Sequence, residues 1–346
     1  MSHPLGAALL GLALTMCASG SAADITVTPL EFSDLDGWQD DDHIAAFDVF
    51  RNTCVDLKDP DWLSLCAVAS QQKDARTFFE VFFKPVLMTD QKDPLFTGYY
   101  EPELDGSRTK TAQFSHPLYR TPPEVTPGTP WLTRKEIEDS GTLADRDLEI
   151  VWIEDPVDKF FLQIQGSGRI KLPDGNMVRV GYGGKNGHEY RSIGQELIRR
   201  QVFQPHQVSA QVIRKWVKDN PVDGRALLHH NDSYVFFREV SEVPAEKGPL
   251  GAMNRSITEE RSIAVDPAIV PLGAPVWIEK EGADPMRRLM VAQDTGSAIK
   301  GAQRADIFYG TGDEAGRLAG QVRDSGRMIV LLPIQRAFAM LTEPET

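Results

Sequence analysis

The sequence predicts a mainly β fold with some helices, and three observations predict it. Residues 241–346 carry short apolar segments at 261–265, 275–279, 288–293, 306–309 and 327–332, parted by Gly and Pro turns. Short strands at that spacing favour a closed barrel over an open sheet. Residues 105–240 open on a turn-rich stretch holding Pro122, Pro123, Pro127 and Pro130, then show strand-like runs at 148–153, 160–165 and 233–238. The third observation is bulk: 346 residues, 41% of them apolar, suffice for one large domain or two medium ones.

Each element has its own justification along the chain. Residues 5–16 form an apolar run too short to span a bilayer, and small residues follow it as far as Ala23. This reads as a signal peptide over 1–23, hence an exported protein; Cys17 leaves a lipid-anchored variant open. Residues 75–87 read as a helix crowded with Phe78, Phe79, Phe82 and Phe83. Thr133 and Glu136 form a capping-box pattern for a short helix. Within 160–165, Phe161, Gln163 and Gln165 alternate with Phe160, Leu162 and Ile164, the period of a strand. Asp174-Gly175 is a hairpin-turn signal. Tyr190, Ile193, Leu197 and Ile198 fall at helical spacing, as do Val208, Val212, Ile213, Trp216 and Val217, and Pro221 ends the second of these helices. A last helix is expected at 314–322.

The formal charge is -13, from 37 basic and 50 acidic side chains, which argues against nucleic-acid binding. No metal site is expected: the seven histidines form no pair at helical spacing, and the adjacent His229 and His230 point to different faces. No cofactor is expected either. Residues 181–185 and 165–168 are Gly-rich but lack a phosphate-loop pattern and read as turns that let a ligand approach the backbone. Gly166-Ser167-Gly168 is one residue short of a nucleophile elbow. Cys54 and Cys66 remain after the leader, and two readings stand: a disulfide formed in an oxidising compartment, or two buried thiols.

Three aspartates are candidates for chemistry. Asp294 ends a strand before Thr295-Gly296, Asp306 opens the next, and Asp266 precedes Pro267. A loop with Gly296 and Gly301 can bring two strand-end carboxylates together. For Asp294 and Asp266 the plain alternative is a turn former bonded to nearby N–H groups. Asp306 stands instead among Ala305, Ile307 and Phe308, where an ionised carboxylate is expensive to bury. A raised pKa suits a general acid, and an apolar wall with a nearby charge, that of Asp294, would supply it.

Several segments occur together, in order, over about residues 94–332. They are Phe96-Thr97-Gly98-Tyr99-Tyr100-Glu101-Pro102, residues 161–168, Val180-Gly181-Tyr182 with Gly184-Lys185-Asn186-Gly187, residues 190–194, Asn231 with residues 233–238, Gly248-Pro249 with Gly251, and the Asp266, Asp294 and Asp306 segments. Together they resemble the membrane-bound lytic murein transglycosylase A family (MltA), with its C-terminal three-aspartate (3D) domain. Two departures are Ser297 in place of a second glycine and an interval from Asp294 to Asp306 one residue longer than usual. The resemblance implies a double-psi β-barrel from residues 24–104 and 241–346, a second β-rich, substrate-binding domain inserted at 105–240, and a groove between them. It implies cleavage of the β-1,4 bond between N-acetylmuramic acid and N-acetylglucosamine of peptidoglycan without water, leaving 1,6-anhydromuramic acid ends. Asp306 then corresponds to the catalytic acid and base, with Asp294 and Asp266 as its companions.

For the glycan, Tyr99, Tyr100 and Tyr182 are candidate stacking platforms, and Gln163 and Gln165 candidate partners of acetamido groups. The matching segments add Gly166, Ser167, Lys185 and Asn186. The expected setting is the periplasm, with peripheral or lipid-anchored attachment to the outer membrane and wall-remodelling proteins as partners. Two other readings stay open. One is a hydrolase using Asp306 with Asp294 as a carboxylate pair; the other is a non-catalytic glycan-binding barrel.

Overall fold

The computed structural model describes residues 25–342, so the expected leader at 1–23 and Cys17 lie outside the described residues. Strand β1 (Thr26–Pro29) leads to three helices, α1 (His43–Thr53), α2 (Pro60–Ala69) and α3 (Ala75–Phe82), and these to β2 (Phe83–Thr89) and β3 (Leu95–Glu101). Asp42, Asp59 and Asp74 cap the three helices by accepting from Ala45, Asp61 and Thr77 N–H groups, a local signal that makes α1 and α2 as well as α3. The helix expected to reach residue 87 stops at Phe82 instead. Pro85 has no N–H for a helical bond and biases Lys84 towards extended backbone, so the chain turns into β2. A disulfide joins Cys54, at the C-cap of α1, to Cys66 on α2, with Cα atoms 5.4 Å apart. This decides between the two cysteine readings in favour of the bridge.

The middle of the chain adds β4 (Glu103–Ser107), β5 (His116–Tyr119), α4 (Arg134–Ser140), β6 (Glu149–Ile153), α5 (Pro156–Gln165), β7 (Gly168–Lys171) and β8 (Met177–Lys185). Then come α6 (Ile193–Arg199), α7 (Ala210–Asp219), α8 (Pro221–Leu228) and β9 (Val235–Glu239). Its six strands form one sheet in the order β5-β6-β4-β7-β8-β9. Residues 160–165, expected as a strand, belong to α5. Asp155 caps that helix, Pro156 occupies its first turn, and Gly166 ends it at φ 77°, punctuation that outweighs a six-residue alternation. Residues 181–185, expected as turns, run within β8, whose register against β9 shifts between Tyr182 and Gly184. A Cβ at Gly183 would come within 2.7 Å of the Phe237 backbone, so the glycine serves close strand approach. Pro221 ends α7 as expected, and it also opens α8.

The C-terminal part supplies β10 (Ser262–Val265), β11 (Pro275–Lys280), β12 (Met286–Thr295), β13 (Arg304–Thr311), α9 (Asp313–Ala319), β14 (Arg323–Asp324), β15 (Gly326–Pro333) and α10 (Ile334–Thr342). These strands join β1, β2 and β3 in a nine-stranded mixed sheet, ordered β1-β2-β15-β11-β12-β10-β13-β3-β14. The β10–β12 and β13–β3 pairs are parallel. This is the double-psi barrel body, and both ends of the chain build it. Its core holds Trp38, Phe50, Phe78, Phe83, Phe96 and Trp277, none more than 1% exposed. The inserted sheet has its own core around Val151, Leu162, Ile170 and Phe237.

Candidate active site

The strand register assembles the site. Ala264 on β10 lies opposite Asp294 on β12 and opposite Asp306 on β13, and Asp306 in turn lies opposite Thr97 on β3. Directly opposed residues share a face of the sheet, so Asp294, Ala264, Asp306 and Thr97 form one transverse row. Two strand spacings of about 4.8 Å separate the two aspartates along it. Ala264 between them is buried in an apolar cluster with Tyr99, Ile257, Ile299 and Phe308.

The row opens into a groove of about 810 Å³ between barrel and insert. Asp294, Asp306, Arg304 and Lys300 line it from the barrel side; Gln163, Gln165, Gly166, Ser167, Tyr182 and Lys185 line it from the insert. Two of the three aspartates thus meet at the groove. Asp266 stands behind it, buried, accepting from the Gly301 N–H at 3.1 Å and lying 3.3 Å from Lys300 Nζ. Its carboxylate ties down the loop after Asp294, which is turn chemistry.

The two groove carboxylates have different partners. Asp294 Oδ1 accepts from the N–H groups of Ala252 and Thr295, each at 2.9 Å, and Oδ2 accepts from the Tyr99 hydroxyl at 2.9 Å. Asp306 Oδ1 accepts from Thr97 Oγ1 at 2.6 Å. Burial pushes both carboxyls upward: Asp294 to about 6, its bonds to Thr295, Tyr99 and Ala252 opposing and the charge of Asp306 adding to the rise. For Asp306, burial outweighs the Thr97 bond and the Arg304 charge, which both act downward. The apolar setting of Asp306 is thus the leading cause of its shift, and the two carboxyls disfavour each other's ionisation across the row.

The structure does not bring every candidate sugar contact to the groove surface. Tyr99 is 9% exposed, packs on Phe308 at 5.3 Å between ring centres and is spent on Asp294. Tyr100 packs on the barrel core beside Gly316, where a Cβ would come within 2.7 Å of its ring. Asn186 is fully buried, donating to Leu132 and Asp232 carbonyls and accepting from Tyr234 N–H, so it pins backbone. Gln163 lines the groove, but Arg134 and the Val235 carbonyl already hold its amide, while Gln165 Oε1 takes the Tyr100 N–H. Tyr182, 54% exposed, and Lys185 are the candidates with free reach into the groove.

Sequence reasoning missed Thr97, Arg304 and Arg134. Arg304 lies two residues before Asp306 on one strand and so shares its face, a signal that period-two reading would have found. Among the described residues, no group of three or more His, Cys, Asp or Glu side chains is arranged to hold a metal ion.

Comparison with known proteins bears on this arrangement. The MltA specific insert domain model matches residues 95–238, and the 3D domain model matches residues 261–332. The chain is 38% identical to the membrane-bound lytic murein transglycosylase A of Escherichia coli (strain K12) over 248 residues, 68% of this chain and 65% of that protein. The chain thus spans just under two thirds of the length of this curated relative. A membrane-bound lytic murein transglycosylase from Agrobacterium tumefaciens superposes with a TM-score of 0.83 at 33% identity, covering 91% of this chain and 99% of that one. E. coli MltA with bound chitohexaose superposes with a TM-score of 0.72 at 30% identity, covering 89% and 94%.

Proposed function

The chain belongs to the membrane-bound lytic murein transglycosylase A family, and on that premise we propose that it cleaves peptidoglycan glycan strands without adding water. The bond is the β-1,4 link between N-acetylmuramic acid and N-acetylglucosamine. The observation that carries the reading is Asp306: a groove-lining carboxyl in an apolar strand, held above the usual carboxylate range by burial.

A glycosidic oxygen leaves only when protonated, and a neutral carboxyl beside it can supply that proton. The muramyl C6 hydroxyl then attacks C1 of its own ring, and the now ionised Asp306 takes up the hydroxyl proton. The leaving C1–O bond is replaced by the new C1–O6 bond, one proton cycles through one residue, and a 1,6-anhydro end results. Ordinary glycosidases need a second carboxylate as base or nucleophile. Asp294 is poorly suited to that task, because three donors already hold its two oxygens. This favours the anhydro reaction over hydrolysis by an aspartate pair. The chitohexaose bound by the E. coli neighbour supports a β-linked sugar chain as occupant of the groove, with Tyr182 and Lys185 its contacts from the insert.

In this reading residues 24–104 and 241–346 act as the catalytic body and 105–240 as the substrate-binding insert. The protein works in the periplasm, attached to the outer membrane peripherally or through Cys17, among other wall-remodelling proteins. No helix among the described residues is long and apolar enough to cross a membrane.

The test is Asp306→Asn assayed on purified sacculi. The variant should bind glycan and lose cleavage by about a thousandfold or more, the scale on which an acid is missed. Wild-type products should carry ends one water lighter than reducing ends. Near-normal turnover in the variant would refute the assignment, and reducing-end products would select the hydrolase.

A further inference from the structure

Resting on the reading of Asp306 as acid and base, we propose that Thr97 and Arg304 form a hydrogen-bond relay that confines the acid proton to Oδ2 of Asp306. The argument is a count of hydrogens. Arg304 Nη2 lies 2.9 Å from Thr97 Oγ1, and a guanidinium nitrogen only donates. Thr97 Oγ1 therefore accepts from Arg304. Its single hydrogen is left for Asp306 Oδ1, 2.6 Å away. Among the described residues the Thr97 hydroxyl has Oδ1 as its one acceptor, so Oδ1 stays an acceptor whether Asp306 is neutral or ionised; a proton on it would leave the threonine hydrogen unpaired. The neutral acid carries its proton on Oδ2, which makes no hydrogen bond to any group among the described residues and belongs to a side chain lining the groove.

The relay is anchored. Arg304 Nη1 donates to the Ala305 carbonyl at 2.6 Å and to the Leu95 carbonyl at 3.3 Å, which fixes the guanidinium beside the threonine. The acid consequently feels a positive charge without touching it. That suits a residue with two tasks: a direct ion pair would strip the proton needed at the start and weaken the base that follows, whereas no cation at all would leave the acid too weak to protonate the leaving oxygen. Other titratable groups facing Asp306 are Tyr99 on β3 and Asp294 on β12. Arg323 on β14 faces Arg304, and Lys300 in the loop is paired with Asp266. Thr97 and Arg304 are positioning residues here, acting on substrate only through Asp306.

The readout is the pH profile of kcat/KM on purified glycan strands, whose alkaline limb reports ionisation of the acid. Arg304→Gln removes the charge and Thr97→Val the hydroxyl, both of which favour the ionised form. In each variant the alkaline limb should move up by about one pH unit, with kcat reduced and KM kept. Thr97→Ser, which retains a hydroxyl, should bring the limb back. A limb that stays put or moves down in both Arg304→Gln and Thr97→Val, while Asp306→Asn is inactive, overturns the relay and leaves the acid assignment standing. An active Asp306→Asn removes the reading beneath it instead. Unfolding midpoints and glycan binding confirm that each variant is folded; should Thr97→Val fail to fold, Arg304→Gln and Thr97→Ser decide the question.

Discussion

The parallel ladder between β3 and β13 carries an acidic side chain at each end, and the two ends treat it in opposite ways. At one end Asp306 on β13 faces Thr97 on β3; at the other Glu101 on β3 faces Thr311 on β13. In both, the threonine hydroxyl donates to the carboxylate, at 2.6 Å and 2.9 Å. Glu101, with no exposed surface, also meets two guanidinium groups directly, Arg169 at 2.8 Å and Arg179 at 3.1 Å. Asp306 meets its guanidinium only through the threonine. The same pair of residue types thus makes a structural anchor where cations touch the acid and a proton donor where they do not.

The Glu101 end also explains how the groove keeps its shape. Arg169 and Arg179 belong to β7 and β8 of the insert, and both also donate to the Lys247 carbonyl, on the segment where the chain returns to the barrel. One carboxylate therefore clamps insert to barrel. Glu101→Gln leaves the buried Arg179 without its paired carboxylate and Arg169 with Glu103 alone, at 3.7 Å; breaking a buried pair in this way typically costs about 3–5 kcal/mol. Chemical denaturation should show that loss, the largest effect on stability expected here. Asp306→Asn should leave the midpoint unchanged or raised, because it removes a buried carboxyl that no cation touches. Equal losses in the two variants would erase the distinction between the ends of the ladder.

A smaller effect isolates stability from the groove altogether. The disulfide bridges residues 12 apart in sequence, joining two helices on the barrel core. Closing a loop of that length is worth about 3 kcal/mol in the chain-entropy account. Cys54→Ser combined with Cys66→Ser should lower the midpoint by roughly that amount while turnover per folded molecule is kept. A drop in turnover without a drop in stability would mean that the helical layer reaches the groove in a way the contacts do not show.

How much of this was legible in the sequence depended on the range of the signal. The barrel strands were readable because Gly and Pro mark their ends, and β10 to β13 fall close to where the pattern puts them. Residues 160–165 misled because six residues of alternating Phe and Gln satisfy a strand template, while the cap at Asp155 and the left-handed Gly166 lie just outside that window. Asp306 stood out as an acid without turn residues of its own. Its partner Thr97 is 209 positions away and becomes its neighbour only through the β3–β13 register. Tyr100 and Asn186 were drawn to the site by the company they keep in sequence; packing and backbone bonds claim their side chains instead. Local chemistry survives in a single sequence, and cross-strand pairing does not.

Asp294 lies between the two extremes and sharpens the comparison most finely. It has three neutral donors and no cation in contact, and burial pushes its carboxyl up to about 6, against about 3.9 for an unperturbed aspartate. The native state then holds the proton more tightly than the unfolded chain does. The stability this contributes is fully present below about pH 4 and is lost as pH rises through about 6, because ionising the buried group is costly. Over that window wild-type stability should fall by about 1–3 kcal/mol on account of this residue. Asp294→Asn, which cannot ionise, should flatten the slope in urea midpoints measured from about pH 4 to about pH 7. Asp306 and Asp158, whose carboxyls burial also raises, contribute to the residual slope with the same sign. A slope untouched by Asp294→Asn would mean that its three donors fully replace water, placing Asp294 with Glu101 among the anchors.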